Sequence, residues 1–207
     1  MTHEAAHGRT GEPGADDEAD AYDRLRRRVL WALPTGLFVV GSRAGGDRNL
    51  MTCNWVMQVA TAPKLVAVAV ESGSVTRGLI ERGGSFSVSL LARSDRGLVR
   101  RFVKPVRDIE TDGRGVALRM QGEPVHEVVG GLPCLAAAVA WLACSVRSLS
   151  DWGDLTPDRR ADGGSSGASH VLVVGEVVGA AATDRLAGVS DEDAVLSMAD
   201  TRMSYGG

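Results

Sequence analysis

The chain has 207 residues, 44% of them apolar and 24% charged, with a formal net charge of -3. These figures suit one globular domain with a tail and exclude a collagen, a wholly disordered chain and a disulfide scaffold. The acidic balance disfavours a nucleic-acid binder, and no apolar run reaches the roughly 18 residues of a membrane span.

The opening MTHEAAHGRTGEPGADDEADAY lacks the basic-then-apolar order of a secretory signal. Residues 1–20 hold Glu4, Asp16, Asp17, Glu18 and Asp20 with few large apolar groups. That composition predicts a disordered acidic tail ahead of a domain over residues 21–207. A helix is expected from Tyr22 to Leu33, with Leu25 and Val29 on one face and Pro34 as its stop. LFVVGS (37–42) and LMTCNWVMQ (50–58) read as strands of a hairpin joined through AGGDRN. LVAVAVE (65–71) is a strand apolar at nearly every position, which predicts burial on both faces. SVTRGLIERG (74–83) reads as a helix capped by Ser74 or Ser72 and ended by Gly83 and Gly84. FSVSLL (86–91) is the next strand, and SDRGLVRRF (94–102) the next helix, capped by Ser94. GVALRMQG, a segment from Ala136 to Val146, and HVLVVGEVVGAA (170–181) supply later strands. Residues 151–169, rich in Gly, Ser and Asp, predict a long loop. Strands outnumber short helices and do not alternate with them regularly. The expected class is mainly β, a β-barrel with short helices on its rim.

The expected strands and helices carry none of the usual catalytic signatures. The chain has no GxxxxGK[ST] or GxGxxG phosphate loop, and no GxSxG at an elbow between an expected strand and helix, its GGSSG (163–167) falling in the Gly-rich loop. His3 and His7, spaced as HEAAH, sit in the tail; His126 and His170 lie far apart, and no HxxxH, CxxC or HExxH spacing within residues 21–207 offers a metal site. Cys53, Cys134 and Cys144 are an odd count in no cluster, so a reduced, cytoplasmic protein is the simplest expectation. Cys53 reads either as a nucleophile or as a small packed group, with packing favoured. Chemistry carried by a bound cofactor is favoured over chemistry carried by side chains.

One stretch points to a family. Pro34 to Leu91 contains PTG before the first strand, then Asn49, Met51, Thr52 and Trp55, then Pro63, Leu65 and Val66. Ser74, Thr76 and Ile80 follow, then Gly84, Phe86, Val88 and Leu91. Near the C-terminus stand Ser169, His170, Gly175, Glu176 and Val177, and the chain closes on TRMSYGG. In this order and spacing, over about residues 25–207, the chain resembles the flavin reductase-like family of FMN-binding split barrels.

The resemblance implies an FMN-binding split β-barrel that forms a homodimer. It also implies an NAD(P)H-dependent flavin reductase activity, with hydride passing from a nicotinamide to flavin N5. Reduced flavin would then serve a partner monooxygenase. Two other readings stand beside it. One is an FMN-dependent enzyme acting on a specialised metabolite, with a pocket shaped by loop 151–169. The other is a non-catalytic FMN-binding redox module. The implied flavin residues are Asn49, Met51, Thr52, Cys53, Asn54, Trp55, Ser72, Ser74, Thr76, Ser89, Leu90 and Leu91. FAD is the alternative flavin, and NADH or NADPH the co-substrate; no membrane or nucleic-acid partner is expected.

The residues themselves suit that role. A helix start at Ser72–Thr76 offers N–H groups and a dipole to a phosphate. Arg77 and the basic run Arg93, Arg96, Arg100, Arg101, Lys104 and Arg107 offer positive charge, or else form a solvated face. His170 would orient the nicotinamide or offer a proton, and Tyr205 would cover the pocket or anchor the C-terminus. Three departures from the family pattern matter: Ser89 stands where Asn is common, Ser169 stands where Asp precedes the histidine, and the loop 151–169, which runs into His170, is longer than the family's.

Overall fold

The computed structural model describes residues 15–151, 169–187 and 194–201, with side chains from residue 18 onward. The chain divides into two compact units, residues 1–34 with 204–207, and residues 35–203.

In the first unit, α1 spans Ala15–Trp31. It begins seven residues before the expected Tyr22. Ala and acidic residues tolerate a helical start, and acids near a helix N-terminus offset its dipole. Asp23 pairs with Arg26 and Arg27 one turn on, contacts that contribute only tenths of a kcal/mol (~0.3–0.5) on an exposed surface. The helix closes with three-residue turns, Ala32 N–H to Val29 O and Leu33 N–H to Leu30 O. The expected apolar stripe forms, but Tyr22, Leu25, Val29 and Leu33 are all exposed.

The second unit is mainly β. Its larger sheet holds seven strands: β1 (Phe38–Ala44), β2 (Asp47–Cys53), β3 (Val56–Thr61), β4 (Lys64–Glu71), β5 (Ser85–Leu90), β10 (Ala140–Asp151) and β11 (His170–Ala182). Their order is β2-β1-β5-β10-β11-β4-β3, and every pairing is antiparallel. The expected single strand 50–58 is in fact two. It breaks at Asn54–Trp55, and its halves form opposite edges of the sheet. Edges of a flat seven-stranded sheet would lie roughly 29 Å apart. The link from Cys53 to Val56 reaches at most about 11 Å. The sheet must therefore curl until its edges approach. It stays a rolled sheet and not a barrel closed by hydrogen bonds, since no β2–β3 ladder is present among the described residues.

The roll has two apolar faces. One gathers Val40, Cys53, Val66, Val68, Val70, Ile80, Phe86, Val88, Cys144 and Val173. Phe86, fully buried here, lies under β11 at Gly175. A Cβ there would stand 2.6 Å from the Phe86 ring and 2.9 Å from the Cys144 Cβ, so only glycine lets β11 cross the ring. The other face gathers Leu37, Leu50, Leu91, Val99, Phe102, Met120 and Leu135. It is covered by a second sheet that the sequence reading largely missed: β6 (Ile109–Thr111), β7 (Ala117–Met120), β8 (Glu123–Val128) and β9 (Leu132–Leu135). Buried Arg48 fastens the two sheets. Its Nε donates to Glu127 Oε1 at 2.8 Å, and its NH2 group to Gly115 O at 2.8 Å. Arg43 reaches the other oxygen of Glu127 at 3.2 Å.

Helix α2 (Val75–Gly83) matches its sequence signals closely. Ser74 Oγ accepts from Arg77 N–H, and Gly84 ends the helix at φ 66° with its N–H on Ile80 O. The expected helix 94–102 is instead two 3-10 turns, Arg93–Asp95 and Leu98–Phe102. Gly97 interrupts it, and Ser94 makes no cap; the Ser94 hydroxyl accepts from Arg185. Loop 151–169 and Tyr205 lie outside the described residues, apart from Asp151 and Ser169.

Candidate functional site

Three links meet at one end of the roll because the strand register brings them there. The β2–β3 link supplies Trp55, whose carbonyl accepts from Ala69 N–H of β4 at 3.0 Å. The β4–α2 link supplies Ser72, whose N–H donates to Ser169 O at 3.0 Å. The start of β11 supplies His170, directly opposite Glu71. The Trp55 and His170 rings meet edge to face, with centroids 4.7 Å apart and planes at 72°. Trp55 remains 39% exposed, so the pair borders an open surface and is not sealed in the core.

The residue before the histidine, Ser169, presents its hydroxyl to the ring. Its Oγ lies 2.9 Å from His170 Nδ1. Burial pushes the His170 imidazole below its ordinary value, and the nearby Glu71 carboxylate partly opposes that. Burial thus favours the neutral ring.

Beside this pair begins α2. Its first N–H groups have no partner within the helix. Arg77 N–H goes to Ser74 Oγ at 3.1 Å, which leaves Val75 and Thr76 N–H at the positive end of the dipole. Asn49 fixes this turn in place. Its Nδ2 donates to Thr76 Oγ1 at 2.8 Å, and its Oδ1 accepts from Val106 N–H at 2.8 Å. The Asn49–Thr76 bond is buried, since Thr76 is fully enclosed and Asn49 is 3% exposed, and the Val106 end is half-buried. One side chain thus ties β2, the α2 start and the segment that carries Lys104 together. Lys104 itself is exposed. The Nε of Arg77 is buried without a hydrogen-bond partner among the described residues, while its outer nitrogens meet Glu81 at 3.4 Å.

The remaining implied residues separate by face. Met51, Cys53 and Leu90 belong to the face built around Phe86. Thr52 turns the other way, its hydroxyl donating to Val99 O. Ser89 also turns away; its Oγ lies 3.0 Å from Cys134 Sγ and accepts from Leu135 N–H at 3.2 Å. Leu91 is fully buried in the core beneath the second sheet. Any contact from Thr52, Ser89 or Leu91 to a ligand at the Trp55–His170 end would thus come from backbone. Cys53 is a packed group. Its Sγ–H donates to Ala69 O at 3.6 Å, and burial pushes the thiol up to about 11, so it carries almost no nucleophilic thiolate near neutrality. The sequence reading did not find the Val106 N–H, the Ser169 hydroxyl as a ring partner, or Glu71. Only Ser169 carried a signal, as a departure from the family pattern.

Comparison with known proteins gives the family. A family model described as "Flavin reductase like domain" matches residues 30–200. An NADH-dependent FAD reductase of Streptomyces globisporus is 30% identical over 163 residues, 77% of this chain and 76% of that one. A solved structure of the NADH:FAD oxidoreductase from the same species, in complex with NAD and FAD fragments, superposes with a TM-score of 0.58 at 27% identity, covering 80% of this chain and 86% of that one. The flavin reductase of styrene monooxygenase from Pseudomonas putida S12 superposes with a TM-score of 0.55 at 25% identity, covering 76% and 86%. Against a putative diflavin flavoprotein of Nostoc sp., 28% identical over 131 residues, the match spans 61% of this chain but only 21% of the relative.

Proposed function

The chain belongs to the flavin reductase-like domain family, and from that premise we propose that it is an NAD(P)H-dependent flavin reductase supplying reduced flavin to a partner monooxygenase. The observation that carries the reading is the Trp55–His170 pair, set at an open surface beside the first turn of α2. An aromatic–imidazole wall can hold a flat nicotinamide, and a helix start can hold a phosphate.

The residues present fit a flavin mononucleotide. The phosphate end would rest on the Val75 and Thr76 N–H groups and the Ser72 and Ser74 hydroxyls, with Arg77 and Lys104 adding charge. The orphaned Nε of Arg77 suits an anion near it. The ring would lie along Met51–Trp55 and Leu90, with backbone groups meeting its polar edge. Bound flavin supplies hydride acceptance. The protein's part is to bind, orient and exclude water. Asn49 holds the phosphate turn rigid, Trp55 sets the nicotinamide plane, and neutral His170 offers a ring nitrogen to the nicotinamide carboxamide. FMN is the first choice of flavin and FAD the second, with NADH the expected donor because related enzymes are named for it. The protein acts in the cytoplasm as a homodimer, and residues 21–207 form its flavin-binding domain as a split barrel.

The test is steady-state oxidation of NADH and of NADPH by the purified full chain under air, with free FMN or FAD. Turnover that depends on added flavin supports the reading. Tight flavin binding with nicotinamide oxidation at background rate would replace it with an enzyme acting on a specialised metabolite.

A further inference from the structure

We propose that Ser169 and Glu71 together position His170 for the nicotinamide, Ser169 holding the ring by Nδ1 and Glu71 supplying the carboxylate from the neighbouring strand. The proposal rests on the flavin reductase reading and deepens it by assigning two further residues to the nicotinamide side. Ser169 Oγ stands 2.9 Å from His170 Nδ1, and its main-chain carbonyl is fixed by Ser72 N–H at 3.0 Å. The hydroxyl is therefore presented from an anchored backbone. Glu71 is the direct register partner of His170 on antiparallel β4, and such partners share a face with Cβ atoms about 5 Å apart.

A carboxylate next to the histidine would only accept a hydrogen bond. It would lock a proton on Nδ1 and stabilise the imidazolium. A hydroxyl both donates and accepts, so it holds the ring without choosing the proton's place. With Nδ1 occupied and the ring set edge-on to Trp55, Nε2 is the nitrogen left for substrate. A neutral Nε2 that can be either donor or acceptor matches a carboxamide, which offers both an N–H and a carbonyl. Charge at the ring then comes from across the strand. Glu71 faces it on β4, Asp151 ends β10 opposite Val171, and Arg77 lies on the first turn of α2. Among these, Glu71 is the group whose field reaches His170.

The test uses the full chain and three variants, Ser169→Ala, Ser169→Asp and Glu71→Gln. The His170 ring nitrogens are followed by NMR across pH, and the KM and kcat for NADH are measured in parallel. Ser169→Asp should raise the His170 midpoint by about one pH unit, and Glu71→Gln should lower it. Ser169→Ala should raise the KM for NADH about fivefold with kcat nearly unchanged, as loss of a binding orientation does. Wild-type ring signals and KM in Ser169→Ala, or an unmoved midpoint in Ser169→Asp, would overturn the proposal. Absence of NADH oxidation by the wild type would sink the flavin reductase reading alone, because the ring titration decides the Ser169–Glu71 assignment without turnover.

Discussion

Replacing Thr76 separates two roles that its side chain could have. The residue is fully buried, and its Oγ1 accepts from Asn49 Nδ2 at 2.8 Å. Thr76→Val keeps the shape and removes the acceptor. The buried Asn49 amide then lacks a partner, which costs about 1–3 kcal/mol. Thr76→Ser keeps the acceptor and removes one buried methyl, a loss of about 1 kcal/mol. Both variants should therefore be destabilised to a similar degree in urea. Flavin affinity should divide them. With the hydroxyl gone, the first turn of α2 is no longer tied to β2 and the Lys104–Val106 segment, and the donors proposed for the phosphate lose their fixed spacing. A loss of about 1.4 kcal/mol there is a tenfold rise in Kd. Flavin titration by fluorescence quenching should show that rise in Thr76→Val and wild-type affinity in Thr76→Ser. Equal Kd in the two variants, at matched folded fraction, would refute the phosphate site at the α2 start.

Three further outcomes follow from the packing and the charges. Glu127→Ala strips the partner from buried Arg48 and should cost about 3–5 kcal/mol in urea unfolding; a loss under about 1 kcal/mol would mean that the intersheet pair contributes little. The thiols of Cys53 and Cys134 are pushed up to about 11 and that of Cys144 to about 12 by burial. Native protein should therefore resist alkylation at pH 8 and react fully only in denaturant, and rapid native labelling would contradict the packed placement. His170 is held below its ordinary value, so the unfolded chain takes up that proton first as pH falls through about 6.5. Stability should drop between that pH and the lower folded midpoint, and His170→Gln should flatten this part of the profile. An identical slope in the variant would show that another group causes it.

What the sequence revealed depended on how local each signal was. Ser74, the apolar face of 75–83 and Gly84 lie within a dozen residues of one another, and α2 forms with that cap and that stop. The run at 65–71 was legible for the same reason. The break at Asn54–Trp55 was not, because a continuous apolar pattern gives no sign that two halves will lie at opposite sheet edges. Strand β7 forms within GVALRMQG as expected, but β6, β8 and β9 are three to six residues long, too short for an alternating pattern to emerge. Gly97 was visible, yet its effect in splitting 94–102 into two tight turns was outweighed in the reading by the apolar spacing around it. For the proposed site, family motifs pointed to Trp55, Ser74, Thr76 and His170, but not to which way their neighbours turn. Ser89 and Thr52 turn away to partners more than forty residues distant, and the Asn49–Thr76–Val106 tie crosses three elements. Such contacts depend on register, which no short window records.

The most direct measurement is anaerobic mixing of NADH with flavin-loaded protein while the visible absorption of the flavin is followed. The account predicts loss of the oxidised-flavin band, matched mole for mole by loss of NADH, and its return when air is admitted. A folded protein that binds no flavin, or whose bound flavin stays oxidised in the presence of both NADH and NADPH, would contradict it.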